Sequence, residues 1–517
     1  MFGGGKDLKN RLGQVTLFAI AGVFLFLHTL HLRADFPNHS PWVDWAKYTD
    51  EGWYGDAAIR YYLRGAWQVP GDFNPAAALP VWPLLEGMLF SVTGVGIVPA
   101  RSLAVAVFVG IVMAVYVLMR KRGTGRETAL VAQLSPAVAV AMLSVSPFLY
   151  AFGRMAILEP MLILLTLMAM WLAWTPFPNR IKSWARVIGL GVLAALMIGT
   201  KTTAICLMPA VLWMLWCGEG RVWKRFALST VMAGVTATAI VGTYFVLAIR
   251  PYYLADFKYL FQANQYTGIT RATFWSVVTD TIHNAAWTSP AICVIAVFVV
   301  VVAIFRRRIW SDPLFTGCIL WIAGYFAFLA YHASLQPRYY MVVAVPLTIL
   351  AVRGAEDLSS EWKPAAVVFA CIFAAVGAVH ARETLHFVRH PQYSFADAAA
   401  RVKGVVDAEH GHSRTVLSIS GSDLTLMTGL PSICDDFGTM ELQDRIAAYK
   451  PGWFIAWNYV EDDKMDSLAQ FYQLTRVAEF PAMDDPDRNL LIVYRLDPKK
   501  KLVPAVHSLK GTLVGKL

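Results

Sequence analysis

The sequence predicts a polytopic α-helical membrane protein with a small C-terminal α/β domain. Of its 517 residues, 57% are hydrophobic and only 15% are charged, whereas soluble domains are roughly 45 to 50% apolar. Apolar runs recur from residue 12 to residue 380, many of them long enough to cross about 30 Å of hydrocarbon. Residues 381–517 are mixed in character, as in a water-soluble domain. The chain therefore divides into a membrane module, residues 1–380, and a C-terminal domain, residues 381–517.

The apolar runs indicate about 11 transmembrane helices. They lie near 12–32, 101–119, 129–149, 160–174, 187–199, 202–217, 226–249, 289–305, 313–331, 339–352 and 364–380. The basic clusters between them, among them RKRGTGR and RRR, then fall on one side, which is cytoplasmic by the positive-inside rule. We therefore expect a multi-pass protein with a cytoplasmic N-terminus and a periplasmic or extracellular C-terminal domain.

One further segment, residues 79–98 (LPVWPLLEGMLFSVTGVGIV), is apolar enough to pass for a span. Counting it as one would move every later basic cluster to the outside. Pro80, Pro83 and Glu86 interrupt it, so we interpret it as interfacial or re-entrant. Residues 33–100 then form the first outer loop, which carries interfacial helices.

The runs 187–199 and 202–217 are individually short, so they form either two spans or one hairpin that dips in from the cytoplasmic side. Both alternatives leave the topology of the rest of the chain unchanged. Lys201 lies at the tip in either case.

The C-terminal domain shows both helical and strand patterns. TVLSIS, GWFIAW and LLIVYRL have the composition of strands, and SFADAAARVKGVV and DKMDSLAQFYQL have helical spacing. This alternation indicates an α/β fold.

Charge and cysteine content exclude several functional classes. The formal charge is +10, but Lys and Arg are clustered between apolar runs, where they orient a membrane protein, and we expect no nucleic-acid partner. The six cysteines form neither a disulfide framework nor a CxxC metal motif. No HExxH, P-loop or GxSxG motif is present.

The stretch TDEGWYGDAAIRYYLRG, residues 49–65, opens with two adjacent carboxylates, Asp50 and Glu51. In one interpretation they are first-turn acids that favour the helix dipole, in a helix that Gly65 ends. In the other they include a general base, held rigidly by the start of the helix. The two interpretations are compatible. Tyr54 and the aromatic run RYYLRGAW are expected to support the helix against the membrane surface.

Two further segments carry isolated charges near apolar runs. In FGRMAILEP, Arg154 and Glu159 flank an outer turn, and ionisable residues near hydrocarbon are functional candidates, although lipid headgroups can solvate such a pair. In LMIGTKTTAICLMP, Lys201 stands alone among uncharged residues. Because a buried unpaired ammonium is costly, Lys201 implies an anionic partner, from the protein or from a ligand.

The segment YHASLQPRYY places His332, Arg338, Tyr339 and Tyr340 at the outer end of two spans. Interfacial tyrosines commonly belong to an aromatic belt. Arg338 is better suited to binding phosphate, since its guanidinium makes bidentate contacts.

These segments together place carboxylates and cations on one side of a membrane bundle. Group transfer from a lipid-linked phosphate requires such a set. The cations neutralise the phosphate leaving group, a carboxylate takes a proton from an acceptor hydroxyl, and the hydrocarbon of the donor stays in the bilayer.

Four motifs resemble those of a known superfamily, the protein O-mannosyltransferases and lipid A aminoarabinose transferases (glycosyltransferase family 39), which have the glycosyltransferase C fold. They are DEGWY, GRMAILEP, MIGTKT and QPRYYMVVAVP, in the family's order and on its side of the membrane. The resemblance covers roughly residues 12–380. It implies an inverting glycosyltransferase that uses a polyprenyl-phosphate sugar.

The resemblance also implies roles for individual residues. Asp50 would be the general base, Glu51 would position the loop or the acceptor, and Glu159 would assist in the acidic site. The candidate ligands of the donor phosphate are Lys201, Arg338, Arg64 and Arg154, and the candidates for support or acceptor positioning are Tyr54, Tyr339 and His332. The resemblance allows a divalent cation as cofactor, for which this sequence contains no dedicated motif.

Two departures from the family pattern bear on these roles. Glu159 stands where the family commonly has Asp, one methylene shorter. Many relatives have a Lys-Pro-Pro segment where this chain has FNPAAALPVWP, which contains no Lys. The donor-phosphate contacts are therefore expected to shift to Arg64, Lys201 or Arg338.

The preferred hypothesis is a bacterial inner-membrane glycosyltransferase. It would move the sugar to a hydroxyl or phosphate acceptor on the outer face of the membrane. Its partners would be a polyprenyl-phosphate sugar donor, membrane lipids, and a lipid, glycan or protein acceptor. The alternative is a transporter or flippase for an anionic lipid-linked substrate, since intramembrane cations also mark transport paths. A third hypothesis is a noncatalytic envelope protein whose C-terminal domain binds a partner.

Overall fold

The structure is a computed structural model that describes residues 4–35, 40–121, 130–176, 180–263, 268–283, 288–306, 308–332, 335–458, 462–486 and 488–499. Most of the basic cluster RKRGTGR and the last part of the predicted C-terminal domain, residues 500–517, lie outside the described residues.

Helices dominate the described residues. They are α1 (Gly4–Leu27), α2 (Asp50–Arg64), α3 (Val81–Thr93), α4 (Ile97–Arg120), α5 (Leu130–Val145), α6 (Pro147–Phe152), α7 (Leu158–Trp174), α8 (Arg180–Thr200), α9 (Met208–Gly218), α10 (Trp223–Tyr244), α11 (Leu254–Ala263), α12 (Arg271–His283), α13 (Pro290–Phe305), α14 (Pro313–His332), α15 (Met341–Glu361), α16 (Lys363–Arg389), α17 (Ser394–Ala408), α18 (Gly421–Thr428), α19 (Leu442–Tyr449) and α20 (Asp462–Phe471). The strands are β1 (Val416–Leu417), β2 (Ser432–Ile433), β3 (Trp453–Trp457), β4 (Tyr472–Pro481) and β5 (Leu490–Pro498).

Five helical stretches among the described residues are long and apolar enough to cross a membrane by length and composition. They are Ile97–Arg120, Ser183–Thr200, Trp223–Gln262, Pro313–His332 and Lys363–Ala408. Shorter apolar helices are Arg11–Leu27, Val81–Thr93, Val131–Val145, Leu158–Trp174, Thr202–Gly218 and Pro290–Phe305. These helices follow most of the predicted apolar runs in order, and the chain breaks between α8 and the next helical turn at Lys201, as the sequence indicated.

Several bundle helices run between the same two ends of the molecule. At one end Glu159 lies in the first turn of α7, Lys201 follows α8, and Arg338 precedes α15. At the other end α4 and α7 finish beside the second half of α15: the Lys121 ammonium donates to the Thr175 hydroxyl at 2.8 Å, and Arg353 donates to the Lys121 carbonyl at 3.2 Å. Residues far apart in sequence therefore converge at each end of the bundle.

The first predicted outer loop folds into α2 and α3, which pack against each other. Helix α2 begins at Asp50 and ends before Gly65, whose φ of 76° is left-handed, so the predicted helix and its glycine C-cap are confirmed. Thr49 does not cap α2; its hydroxyl oxygen lies 3.0 Å from the Trp45 carbonyl oxygen and 2.9 Å from Asp50 Oδ1, and its one hydrogen can be donated to either acceptor. Glu86 of α3 is completely buried against Gly55, where a Cβ would lie 2.2 Å from Glu86 Oε2.

The C-terminal residues form one five-stranded sheet in the order β2-β1-β3-β5-β4. Strand β1 pairs in parallel with β2 and β3, and β5 lies antiparallel between β3 and β4. The strands predicted from TVLSIS, GWFIAW and LLIVYRL are present as β1, β3 and β5. The predicted helix DKMDSLAQFYQL was too long, because α20 ends at Phe471 and Tyr472 begins β4. This edge strand is largely exposed, so it lacks the alternation of apolar residues that identifies a half-buried strand.

The sheet domain docks directly on α2. Helix α18 packs against Gly52, where a Cβ would lie 2.2 Å from the Asp423 backbone nitrogen. Hydrogen bonds also join the two parts, among them Trp53 Nε1 to the Ile419 carbonyl at 3.2 Å, Ser422 Oγ to Asp56 at 2.9 Å, and Arg64 to the Ser432 carbonyl at 2.8 Å. Helix α16 passes through the predicted boundary at residue 380 and ends at Arg389. The C-terminal sheet is therefore part of the support that fixes α2.

We predict that Gly52→Ala destabilises the purified protein by about 1–3 kcal/mol or more, because the new methyl group would overlap backbone atoms of α18. Thermal unfolding in detergent measures the effect. Gly404→Ala is the matched control: its site in α17 has no other atom within 4 Å of the new Cβ, so this variant should keep or raise the wild-type stability. Equal stability of the two variants would contradict the proposed close packing at Gly52.

Candidate active site

A cleft of about 230 Å³ opens where α2, the Lys201 break and the Arg338 turn meet. Six of the side chains singled out in the sequence line it: Asp50, Tyr54, Lys201, His332, Arg338 and Tyr339. Each comes from the end of a helix or from the turn beside it, so the convergence of helix ends creates the cleft. Aromatic and aliphatic side chains complete the walls.

Arg338 lies at the centre of the charged groups and is only 6% exposed. Its backbone nitrogen donates to Asp44 Oδ2 at 2.8 Å, and its guanidinium pairs with Asp44 Oδ1. Nη2 lies 3.0 Å from Asp50 Oδ2, and Nε lies 3.9 Å from Glu159 Oε1. One buried guanidinium thus compensates carboxylates from three separate segments.

The second cation, Lys201, forms an ion pair with Glu159. Glu159 is therefore the protein partner that the isolated lysine implied. The Lys201 ammonium lies 4.4 Å from the centre of the Tyr339 ring, and the Arg338 guanidinium lies 4.8 Å from the centre of the same ring. Cation–π contact with Tyr339 thus holds both cations close together.

Asp50 is the one carboxylate among the described residues that line the cleft. Burial raises the pKa of Asp50, and the neighbouring acids Asp44 and Glu159 add to this effect, while Arg338 opposes it. A carboxylate with a raised pKa, fixed at the start of a helix and facing a cavity, is equipped to accept a proton.

Glu51 lies outside the cleft, although it follows Asp50 directly. Its carboxylate binds Arg101 in a bidentate ion pair, with distances of 2.8 and 2.6 Å, and accepts a hydrogen bond from the Ala156 backbone nitrogen at 2.9 Å. These contacts tie the start of α2 to α4 and to the turn before α7. Glu51 is therefore placed to hold the position of Asp50.

Two candidate phosphate ligands, Arg64 and Arg154, do not line this cleft. Arg64 lies at the other end of α2 from Asp50, where it donates to the Ser432 carbonyl. Arg154 donates to the Tyr150 hydroxyl and to the Leu30 carbonyl, the latter at 2.9 Å, and lines a separate cleft.

Sequence reasoning missed two charged residues that organise the site, Asp44 and Arg101. Asp44 is fully buried, accepts a hydrogen bond from the Ala46 nitrogen at 2.8 Å and orients Arg338. Arg101 pairs with Glu51. Neither residue belongs to a recognisable motif, but Arg101 at the start of an apolar run was a visible signal of a buried partner.

Within the described ranges, no group of three or more His, Cys, Asp or Glu side chains is placed to hold a metal ion. The acids around the cleft face Arg338 and Lys201 instead.

We predict that Arg101→Met lowers the free energy of unfolding by about 3–5 kcal/mol, because it leaves the Glu51 carboxylate buried and unpaired. The double variant Glu51→Gln with Arg101→Met should be less destabilised than Arg101→Met alone. Chemical denaturation in detergent measures all variants, with the exposed Arg382→Met as control. If the double variant loses as much stability as the sum of the losses in Glu51→Gln and Arg101→Met measured separately, the coupling between Glu51 and Arg101 is contradicted.

Comparison with known proteins supports the resemblance on independent grounds. Residues 75–245 match the family described as dolichyl-phosphate-mannose-protein mannosyltransferase. Comparison with curated proteins gives no significant match.

Three solved structures share the architecture of this chain. ArnT from Cupriavidus metallidurans bound to undecaprenyl phosphate has a TM-score of 0.60 at 15% identity, over 93% of this chain and 97% of that one. The same protein in the apo state has a TM-score of 0.59 at 14% identity, with the same coverage of both chains. The oligosaccharyltransferase of Archaeoglobus fulgidus, in complex with zinc and sulfate, has a TM-score of 0.51 at 8% identity, over 92% of this chain and 72% of that one. These likenesses show the fold, and with the family match they confirm the predicted resemblance to the glycosyltransferase C superfamily.

Proposed function

We propose that this chain, which has the glycosyltransferase C fold, is a multi-pass membrane enzyme that moves a sugar from a polyprenyl-phosphate donor to an acceptor hydroxyl. The observation that carries the proposal is one cleft in which the carboxylate of Asp50 lies beside two cations, Lys201 and Arg338. The structure of ArnT with undecaprenyl phosphate supports a lipid of the same class as the donor carrier.

The proposed step is a displacement at C1 of the donor sugar, with inversion. The acceptor oxygen forms a bond to C1 while the bond between C1 and the phosphate oxygen breaks. The electron pair of that bond leaves with the polyprenyl phosphate, and Asp50 takes the proton of the acceptor hydroxyl. The leaving group gains negative charge during this step, so cations fixed beside it lower the barrier.

Lys201 and Arg338 are suited to hold the leaving phosphate. Both are already held by acids, so their positions require no rearrangement when the donor binds. Nη1 and Nη2 of Arg338 face Asp44 and Asp50, whereas its Nε makes no hydrogen bond within the described part of the chain. This N–H is a buried donor that a phosphate oxygen would satisfy.

We further propose a bacterial inner-membrane location with about 11 spans, the cleft on the outer side and the domain 381–517 in the periplasm. The arrangement of the helices supports this orientation, because the cleft and the basic residues Lys121, Arg186 and Arg353 lie at opposite ends of α4, α7, α8 and α15. Basic residues favour the cytoplasmic side.

We predict that Asp50→Asn lowers kcat by about 10²–10⁴-fold, because the amide cannot accept the hydroxyl proton, while undecaprenyl phosphate binding is retained. The assay follows sugar transfer in detergent from a panel of undecaprenyl-phosphate sugars to lipid, glycan and peptide acceptors. Asp397→Asn, at an exposed position of α17, is the matched control. An Asp50→Asn variant with the wild-type rate would remove Asp50 as the base.

We predict that Lys201→Met and Arg338→Lys each weaken undecaprenyl phosphate binding by about 10-fold or more, since a hydrogen bond to a charged group contributes roughly 1.5–3 kcal/mol. Arg338→Lys keeps the positive charge but loses the planar guanidinium and its paired N–H donors, so the charge alone should not give wild-type binding. Equilibrium binding to the purified protein measures the effect, with Arg64→Met as control. A larger loss in Arg64→Met than in the cleft variants would contradict the assignment.

The pH dependence of transfer follows from the raised pKa of Asp50. A general base must be ionised, so kcat/KM should fall as the pH is lowered through this pKa, at a pH above the ordinary aspartate value of about 4. A pH series of initial rates measures the profile. An acid limb at or below the ordinary value would contradict the burial of Asp50 in the working enzyme.

A further inference from the structure

Three aromatic rings form a separate wall of the cleft that the transfer step above does not use. Trp53, Phe73 and Phe437 come from α2, from the segment before α3 and from the C-terminal domain, and all three line the cleft. Their ring centres lie 5.1 Å apart for Trp53 and Phe73, 5.2 Å for Trp53 and Phe437, and 5.6 Å for Phe73 and Phe437. We call this set the aromatic wall.

The aromatic wall is fixed in position relative to Asp50. Trp53 lies three residues after Asp50 on α2, so both side chains emerge on the same side of the helix. The hydrogen bond from Trp53 Nε1 to the Ile419 carbonyl at 3.2 Å holds the indole ring. Phe73 and Phe437 are half-buried, so part of each ring is accessible from the cleft. A molecule in contact with these rings is therefore close to the proposed base.

The charge of the cleft limits what this molecule can be. Among the described residues that line the cleft, Lys201 and Arg338 are the only Lys or Arg side chains. Both are paired with acids, and the proposed function assigns both to the donor phosphate. A phosphate on the acceptor would place a second buried anion near the first without a further Lys or Arg among the described lining residues, which is unfavourable.

We propose that the aromatic wall binds a neutral sugar ring of the acceptor, so that the hydroxyl delivered to Asp50 belongs to a saccharide. The proposal rests on the proposed function. A pyranose has one face of C–H groups, which stacks on aromatic rings, and hydroxyls at its edge, one of which would reach Asp50. The aliphatic lining residues are better placed for the polyprenyl chain, because Leu158 belongs to the hydrophobic cluster of the helical bundle and Leu79 packs against that cluster.

The test uses the full-length protein in detergent and three substitutions of Phe437. Saturation-transfer NMR measures contact with a panel of methyl glycosides (glucoside, galactoside, mannoside and N-acetylglucosaminide), their 6-phosphates and a Ser/Thr peptide. We expect signals from the ring protons of at least one neutral glycoside. The signals should fall about fivefold or more in Phe437→Ala and Phe437→Leu and be retained in Phe437→Tyr, since only tyrosine keeps the ring. Equal melting temperatures would show that all variants are folded.

Undecaprenyl phosphate binding separates this proposal from the proposed function. All three Phe437 variants should bind undecaprenyl phosphate within about twofold of the wild type; weaker binding by Phe437→Ala would assign the wall to the lipid and overturn the proposal. The proposal also fails if Phe437→Leu matches the wild type, or if only the phosphorylated glycosides or the peptide give signals. If the wild-type protein does not bind undecaprenyl phosphate, the proposed function is overturned instead.

Discussion

The buried guanidinium of Arg338 is the interaction on which the rest of the site depends. It compensates Asp44 and Asp50 and lies near Glu159, so it joins the first loop, the start of α2 and the start of α7. Without it Asp44, Asp50 and the nearby Glu159 would share a buried region with less positive charge to compensate them, which is unfavourable. The same guanidinium is suited to a phosphate, so the residue that compensates the buried carboxylates is also the one that we propose binds the donor.

The placement of Asp50 depends on supports that lie outside the cleft. Glu51 and Arg101 fix the start of α2 to the bundle, and the contact of Gly52 with α18 fixes it to the C-terminal domain. Catalytic groups need to be held within a fraction of an ångström of their working geometry. This need gives a physical reason for a chain that covers α2 of the helical bundle with a small α/β domain, instead of leaving α2 exposed.

Much of this arrangement could be predicted from the sequence because apolar runs and isolated charges are strong signals in a membrane protein. The break at Lys201, the helix Asp50–Arg64 and three of the strands follow from such patterns. Asp44 and the aromatic wall did not, because their meaning depends on contacts between segments up to several hundred residues apart. The division between Asp50 and Glu51 was also beyond the sequence: two adjacent acids look equivalent until the fold turns one toward the cleft and the other toward Arg101.

A structure of the protein bound to undecaprenyl phosphate, determined by cryo-electron microscopy, would show whether the Asp50 cleft holds the donor phosphate. We expect the phosphate to lie in this cleft, with oxygens within about 3 Å of both the Arg338 guanidinium and the Lys201 ammonium. We also expect the prenyl chain to extend toward Leu158 and the bundle. A phosphate bound instead at Arg154 or Arg64, with the Asp50 cleft empty, would contradict it.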